Sequence, residues 1–172
     1  MIVPTSTGRV FVSDYSSMKN DKPPTKLHDC NLFTQFVKNL WETITTPGSA
    51  GTGDSANDLL ITAYAMIQFR LRSREVPDFF LQYIRTQLRQ TPPNIILITD
   101  MDPKLVGFHQ RTPNIWPFIS VSKNIVDRWT DGIKHCPDKR ETLVTEALLK
   151  MTLIHETGHW HYTLVSHQTV MV

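Results

Sequence analysis

The stretch that most constrains this chain is the apolar run from about Leu143 to Val165. Leu143, Val144, Ala147, Leu148, Leu149, Met151, Leu153 and Ile154 wrap almost all the way round a helix of 3.6 residues per turn, with polar relief mainly at Glu146 and Lys150. A helix that is apolar on every side is expected to be central and buried. Into it the sequence sets Leu153-Ile154-His155-Glu156-Thr157-Gly158-His159-Trp160, an H-E-x-x-H pattern. Buried polar groups without partners are costly, so two imidazoles and a carboxyl in mid-helix call for one. Positions i and i+4 stand one above the other on a helix face, and His155 and His159 can therefore offer two rings to one metal ion. Glu156 lies beside them, and Gly158 between them leaves room for another element to pack close.

With Leu153 and Ile154 before the pattern, the uncharged Thr157 and Gly158 inside it and Trp160 after it, the sequence resembles the zincin metallopeptidases. The resemblance covers this helix well and the preceding 45 or so residues more loosely. It implies that His155 and His159 are zinc ligands, with Glu156 as the general base that orients and deprotonates a metal-activated water. The substrate it implies is a peptide or protein. Its third ligand is where the chain departs from the family. The H-E-x-x-H-x-x-G-x-x-H type needs Gly at 162 and His at 165, where this chain has Tyr162 and Val165. The types that use a downstream Glu or Asp find neither after His159. His161 is about 200° round the helix from His159 and points away. His167 is the remaining candidate, provided the helix ends near Ser166 and the chain folds back. The simplest expectation is a shortened version of a longer metallopeptidase, lacking a C-terminal part. The alternative is an inactive zincin-fold protein that works as a binding module; the retained Glu156 leans toward catalysis.

Composition adds limits. A chain of 172 residues makes one domain, residues 1–172, large enough for a core of its own. A net charge of +2 points to neither nucleic acid nor membrane as an obligatory partner. Arg70, Arg72, Arg74, Arg85 and Arg89 form the only basic concentration, and they read as a solvated helix face. No membrane span and no signal peptide is visible, so a cytoplasmic chain is mildly favoured, although a processed secreted domain would look the same. Two cysteines, Cys30 and Cys136, are too few for a disulfide framework, and whether they pair is open.

In chain order, residues 8–15 read as a short strand and 16–29 as a loop. Leu32, Phe33, Phe36, Val37, Leu40, Trp41 and Ile44 recur at helical spacing. Residues 46–53 are glycine-rich but lack the G-K-[ST] of a phosphate loop. Helices are expected over 56–74 and from Pro77 to about 90, then a buried strand at Ile95–Ile98. Asp100-Met101-Asp102 reads as a turn; its likeness to the first motif of haloacid-dehalogenase-type phosphatases fails at Lys104. A second strand, 118–121, is the expected edge along which an extended peptide adds. A short helix capped by Ser122 and ended by Gly132 follows. His109 and Arg111, in the loop before that strand, are candidates to reach the cleft. The sum is an α+β, zincin-like single domain with a small sheet packed beside the buried active-site helix.

Overall fold

The computed structural model of the chain describes residues 8–29, 31–45, 85–110, 112, 114, 115 and 118–170, with the side chains of 164–170 outside that description. It is a mixed α/β arrangement around one five-stranded sheet. Strands β1 (Val10–Ser13), β3 (Asn94–Ile98) and β5 (Phe118–Ser122) run parallel in the centre. The short strands β2 (Lys26–Leu27) and β4 (Gly107–Phe108) close the two edges antiparallel, giving the order β2-β1-β3-β5-β4. The helices are α1 (Tyr15–Lys19), α2 (Asn31–Thr45), α3 (Lys123–His135) and α4 (Arg140–Val170); residues 85–90 are also helical.

Every residue of β3 and β5 is buried, as central parallel strands covered on both faces must be. The period of two sends Ile95, Leu97, Ile119 and Val121 to one face, where they pack with Phe33, Val37, Leu40, Trp41 and Ile44 of α2, Val126 and Trp129 of α3, and Leu149, Leu153 and Trp160 of α4. Ile96, Ile98 and Phe118 point to the other face and meet Met18, Met101 and Ile115. The sheet is therefore a partition between two apolar layers.

Several expectations are corrected here. Residues 16–29 hold a helical turn and an edge strand as well as loop. The Asp14 carboxylate accepts from the Ser17 N–H at 2.6 Å, starting α1 and delivering Met18 to the second apolar layer. The strand at 118–121 is not an edge, because β4 pairs with it along Gly107↔Val121 and Phe108↔Ser120. The free edge on that side belongs to β4. Gly132 does not end α3, which continues to His135; a Cβ at 132 would run into the Thr142 hydroxyl, so the glycine allows α3 and α4 to cross closely. Trp129 Nε1 donates to Glu146 Oε2 at 3.1 Å beside that crossing.

Asp100 and Asp102 do serve turns, accepting from the N–H groups of Tyr15 at 2.6 Å and Lys104 at 2.9 Å. Of the basic concentration, Arg89 is a structural group whose Nη2 donates to the Thr45 carbonyl at 2.5 Å. The expected glycine-rich segment, the helix over 56–74, most of the helix from Pro77, Cys30 and Arg111 lie outside the described residues. Cys136 is a free, exposed thiol. Among the described residues, no helix is long and apolar enough to cross a membrane.

Candidate metal centre

Helix α4 supplies the whole candidate set. Its inner side is fixed by Leu149, Leu153 and Trp160 in the main core, and by Thr157, whose hydroxyl donates to the Leu153 carbonyl at 2.6 Å. With that side anchored, the i, i+4 geometry turns His155 and His159 to a half-buried face. Their Nε2 atoms stand 3.1 Å apart and their ring centroids 4.8 Å apart. A tetrahedral zinc ion with nitrogens at 2.0–2.1 Å needs about 3.3 Å between two such donors. The two ring nitrogens also lie within hydrogen-bond distance of each other.

Glu156 is 6 % exposed, and its Oε2 has no hydrogen-bond partner among the described residues. Burial alone pushes its carboxyl up from an ordinary 4.5 to about 7, because a charge is poorly solvated there. A carboxyl that titrates near neutrality both takes and returns protons readily. Its surroundings come from β4: a Cβ on Gly107 would lie 2.5 Å from Thr152 Cγ2, 2.9 Å from the Ser120 carbonyl oxygen and 3.3 Å from Glu156 Cγ. The missing side chain at 107 is what lets the edge strand lie against the histidine helix.

The loop candidate His109 does reach this helix. One ring nitrogen, Nδ1, lies 2.9 Å from the Phe118 carbonyl, and Nε2 lies 2.9 Å from the Thr163 hydroxyl, which donates to the His159 carbonyl at 3.0 Å. Because Phe118 offers only an acceptor, Nδ1 carries a hydrogen; with the ring neutral Nε2 is an acceptor, and the one Thr163 hydroxyl hydrogen is shared between Nε2 and the His159 carbonyl. His109 thus straps β5 to the turn of α4 that follows the second histidine. Sequence reading placed His109 near the cleft and missed Thr163, four residues beyond His159 on the same face. It also missed Gly107, although a lone glycine between Val106 and Phe108 is the usual sign of close backbone approach.

His161 is fully buried on the opposite side, where burial lowers its pKa from 6.5 to about 4, so it is a neutral core histidine. The premise for His167 fails at the backbone: α4 does not end near Ser166 but runs to Val170. Two turns of continuous helix put residue 167 about 12 Å along the axis from His159. The His167 side chain lies outside the described residues. Among the described residues, no three His, Cys, Asp or Glu side chains converge as a metal-binding group.

The class defined so far is a mixed α/β protein whose long helix carries an H-E-x-x-H pair beside an edge strand. No family model, curated protein or solved structure matches this chain.

Proposed function

We propose that this chain is a zincin-like, zinc-dependent metallopeptidase whose centre is formed by His155, His159 and Glu156. The observation that carries the reading is the 3.1 Å convergence of the two Nε2 atoms, on a helix whose adjoining Glu156 has a buried oxygen without a partner among the described residues. The two imidazoles fit a zinc ion by element and spacing, and supply two of the three protein ligands that a catalytic zinc takes. His155 and His159 would hold the ion. When bound, zinc supplies Lewis acidity, polarising a scissile carbonyl and making water a stronger acid.

The residues of the chain account for the rest. Glu156 would take a proton from the attacking water at its carboxylate and return it to the leaving amine. β4, beside Glu156, is the edge strand on that side among the described residues, and an extended peptide would add along it.

A second reading is a zincin-fold binding module without catalysis, favoured by the absence of a third converging donor among the described residues. Elemental analysis of the purified full chain separates the two, with His155→Ala as control. About one zinc per chain, lost in the control, together with hydrolysis of an unstructured protein substrate that Glu156→Gln abolishes while zinc stays bound, establishes the peptidase. No zinc in either form leaves the binding module.

A further inference from the structure

The sequence predicts an α4 buried on all sides, yet the structure leaves one face of its first half bare. Leu143 and Val144 are 55 % and 57 % exposed, Leu148 36 % and Met151 55 %. Val144, Leu148 and Met151 stand at i, i+4 and i+7, and the next member of that series is His155 at i+11. The bare stripe therefore runs without a break into the histidine pair, over about 16 Å of helix axis. Leu105, 44 % exposed, stands two residues before β4, whose Gly107 abuts Thr152 of the same helix.

We infer that this stripe is the docking track for an apolar segment of the peptide substrate, and that Leu148 and Met151 determine specificity. The inference rests on the peptidase reading of the site. Continuity with the histidine pair favours a peptide, because a chain seated on the stripe is led directly to the reacting centre. The stripe's length equals about five residues of extended chain at about 3.3 Å each, of which alternate side chains meet the helix. A second copy of this chain is the poorer occupant. The stripe's three side chains on two helix turns fall well short of the roughly 800 Å² per partner that a stable interface buries. The stripe also carries no charged residue among Val144, Leu148 and Met151, so a polar or acidic segment finds nothing there to pair with. The preferred substrate has two or three large aliphatic or aromatic residues on one side of the bond to be cut.

The test uses the full chain with Glu156→Gln, so that peptides persist, and end-blocked decapeptides identical in one half. In the other half they carry either Leu and Phe or Ser and Asp at alternate positions. Fluorescence titration should show the apolar peptide binding at least tenfold more tightly. Leu148→Lys and Met151→Lys, both on exposed positions, should each erase most of that preference while leaving zinc content unchanged. Equal binding of the two peptides, no binding of either, or a preference that survives both lysines overturns the inference. So does a concentration-dependent dimer that Met151→Lys dissolves, which would make the stripe a self-interface. Zinc content and hydrolysis by the parent chain are read alongside. An apolar preference without zinc or cleavage would sink the peptidase reading and leave the track, whereas cleavage without preference would sink the track alone.

Discussion

Two buried titratable groups on one helix give the chain, held in chelator, a pH dependence that can be worked out in advance. Glu156 is raised from 4.5 to about 7 and His161 lowered from 6.5 to about 4, each by burial. Between 4.5 and 7 the folded chain keeps a proton on Glu156 that the unfolded chain has released. This contribution is full below 4.5 and is lost as pH rises through 7. Between 6.5 and 4 the unfolded chain takes a proton on His161 that the folded chain refuses, so this contribution is present above 6.5 and lost as pH falls. At about 1.4 kcal/mol per pH unit, each window is worth about 3 kcal/mol. The two slopes are opposite and overlap from 4.5 to 6.5, so in the parent chain they nearly cancel. Removing one exposes the other. Urea unfolding in excess chelator, followed by fluorescence of the four tryptophans, measures this at half-unit steps from pH 4.5 to 7. Parent minus Glu156→Gln should fall by about 3 kcal/mol across that range, and parent minus His161→Leu should rise by a similar amount toward pH 6.5. Taking differences removes every group common to both chains. A flat difference for Glu156→Gln, or one that rises with pH, would refute the claim that burial holds this carboxyl protonated.

The packing yields three further expectations. Gly107→Ala places a methyl against Thr152 and the Ser120 carbonyl, and should cost about 1–3 kcal/mol in urea unfolding while lowering zinc affinity, because β4 must lift from α4. Thr163→Val deletes the hydroxyl between His109 and the His159 carbonyl; about 1–2 kcal/mol of stability should go, and the His109 ring resonances should shift in NMR spectra. Leu153→Ala, fully buried two residues before His155, should cost about 2–5 kcal/mol, and a loss below 1 kcal/mol would mean that the inner side of α4 is not packed as described.

How much was legible before the structure depends on whether a feature is local. The strands at 95–98 and 118–121 and the helix beginning near Leu32 follow from short-range periodicity, and all three are present. The histidine pair follows from helix geometry alone. What could not be read were features set by distant partners. Ser120 and Val121 look like one side of an edge strand until Gly107 and Phe108, a two-residue strand too short to leave a periodic signal, pair with them. Gly132 looks like a helix stop, but α3 continues because Thr142, ten residues on, needs the space. The tail after His159 carries no turn signal, and α4 continues past Ser166 accordingly. The most instructive departure is the helix itself. Apolar residues all round α4 were expected to mean burial all round, and of its described large side chains the core takes Leu149, Leu153, Ile154 and Trp160. The expectation fails at Val144, Leu148 and Met151, which are 36–57 % exposed. An apolar face kept beside a candidate catalytic pair, at a cost in solubility, is better explained by what it binds than by how the chain folds.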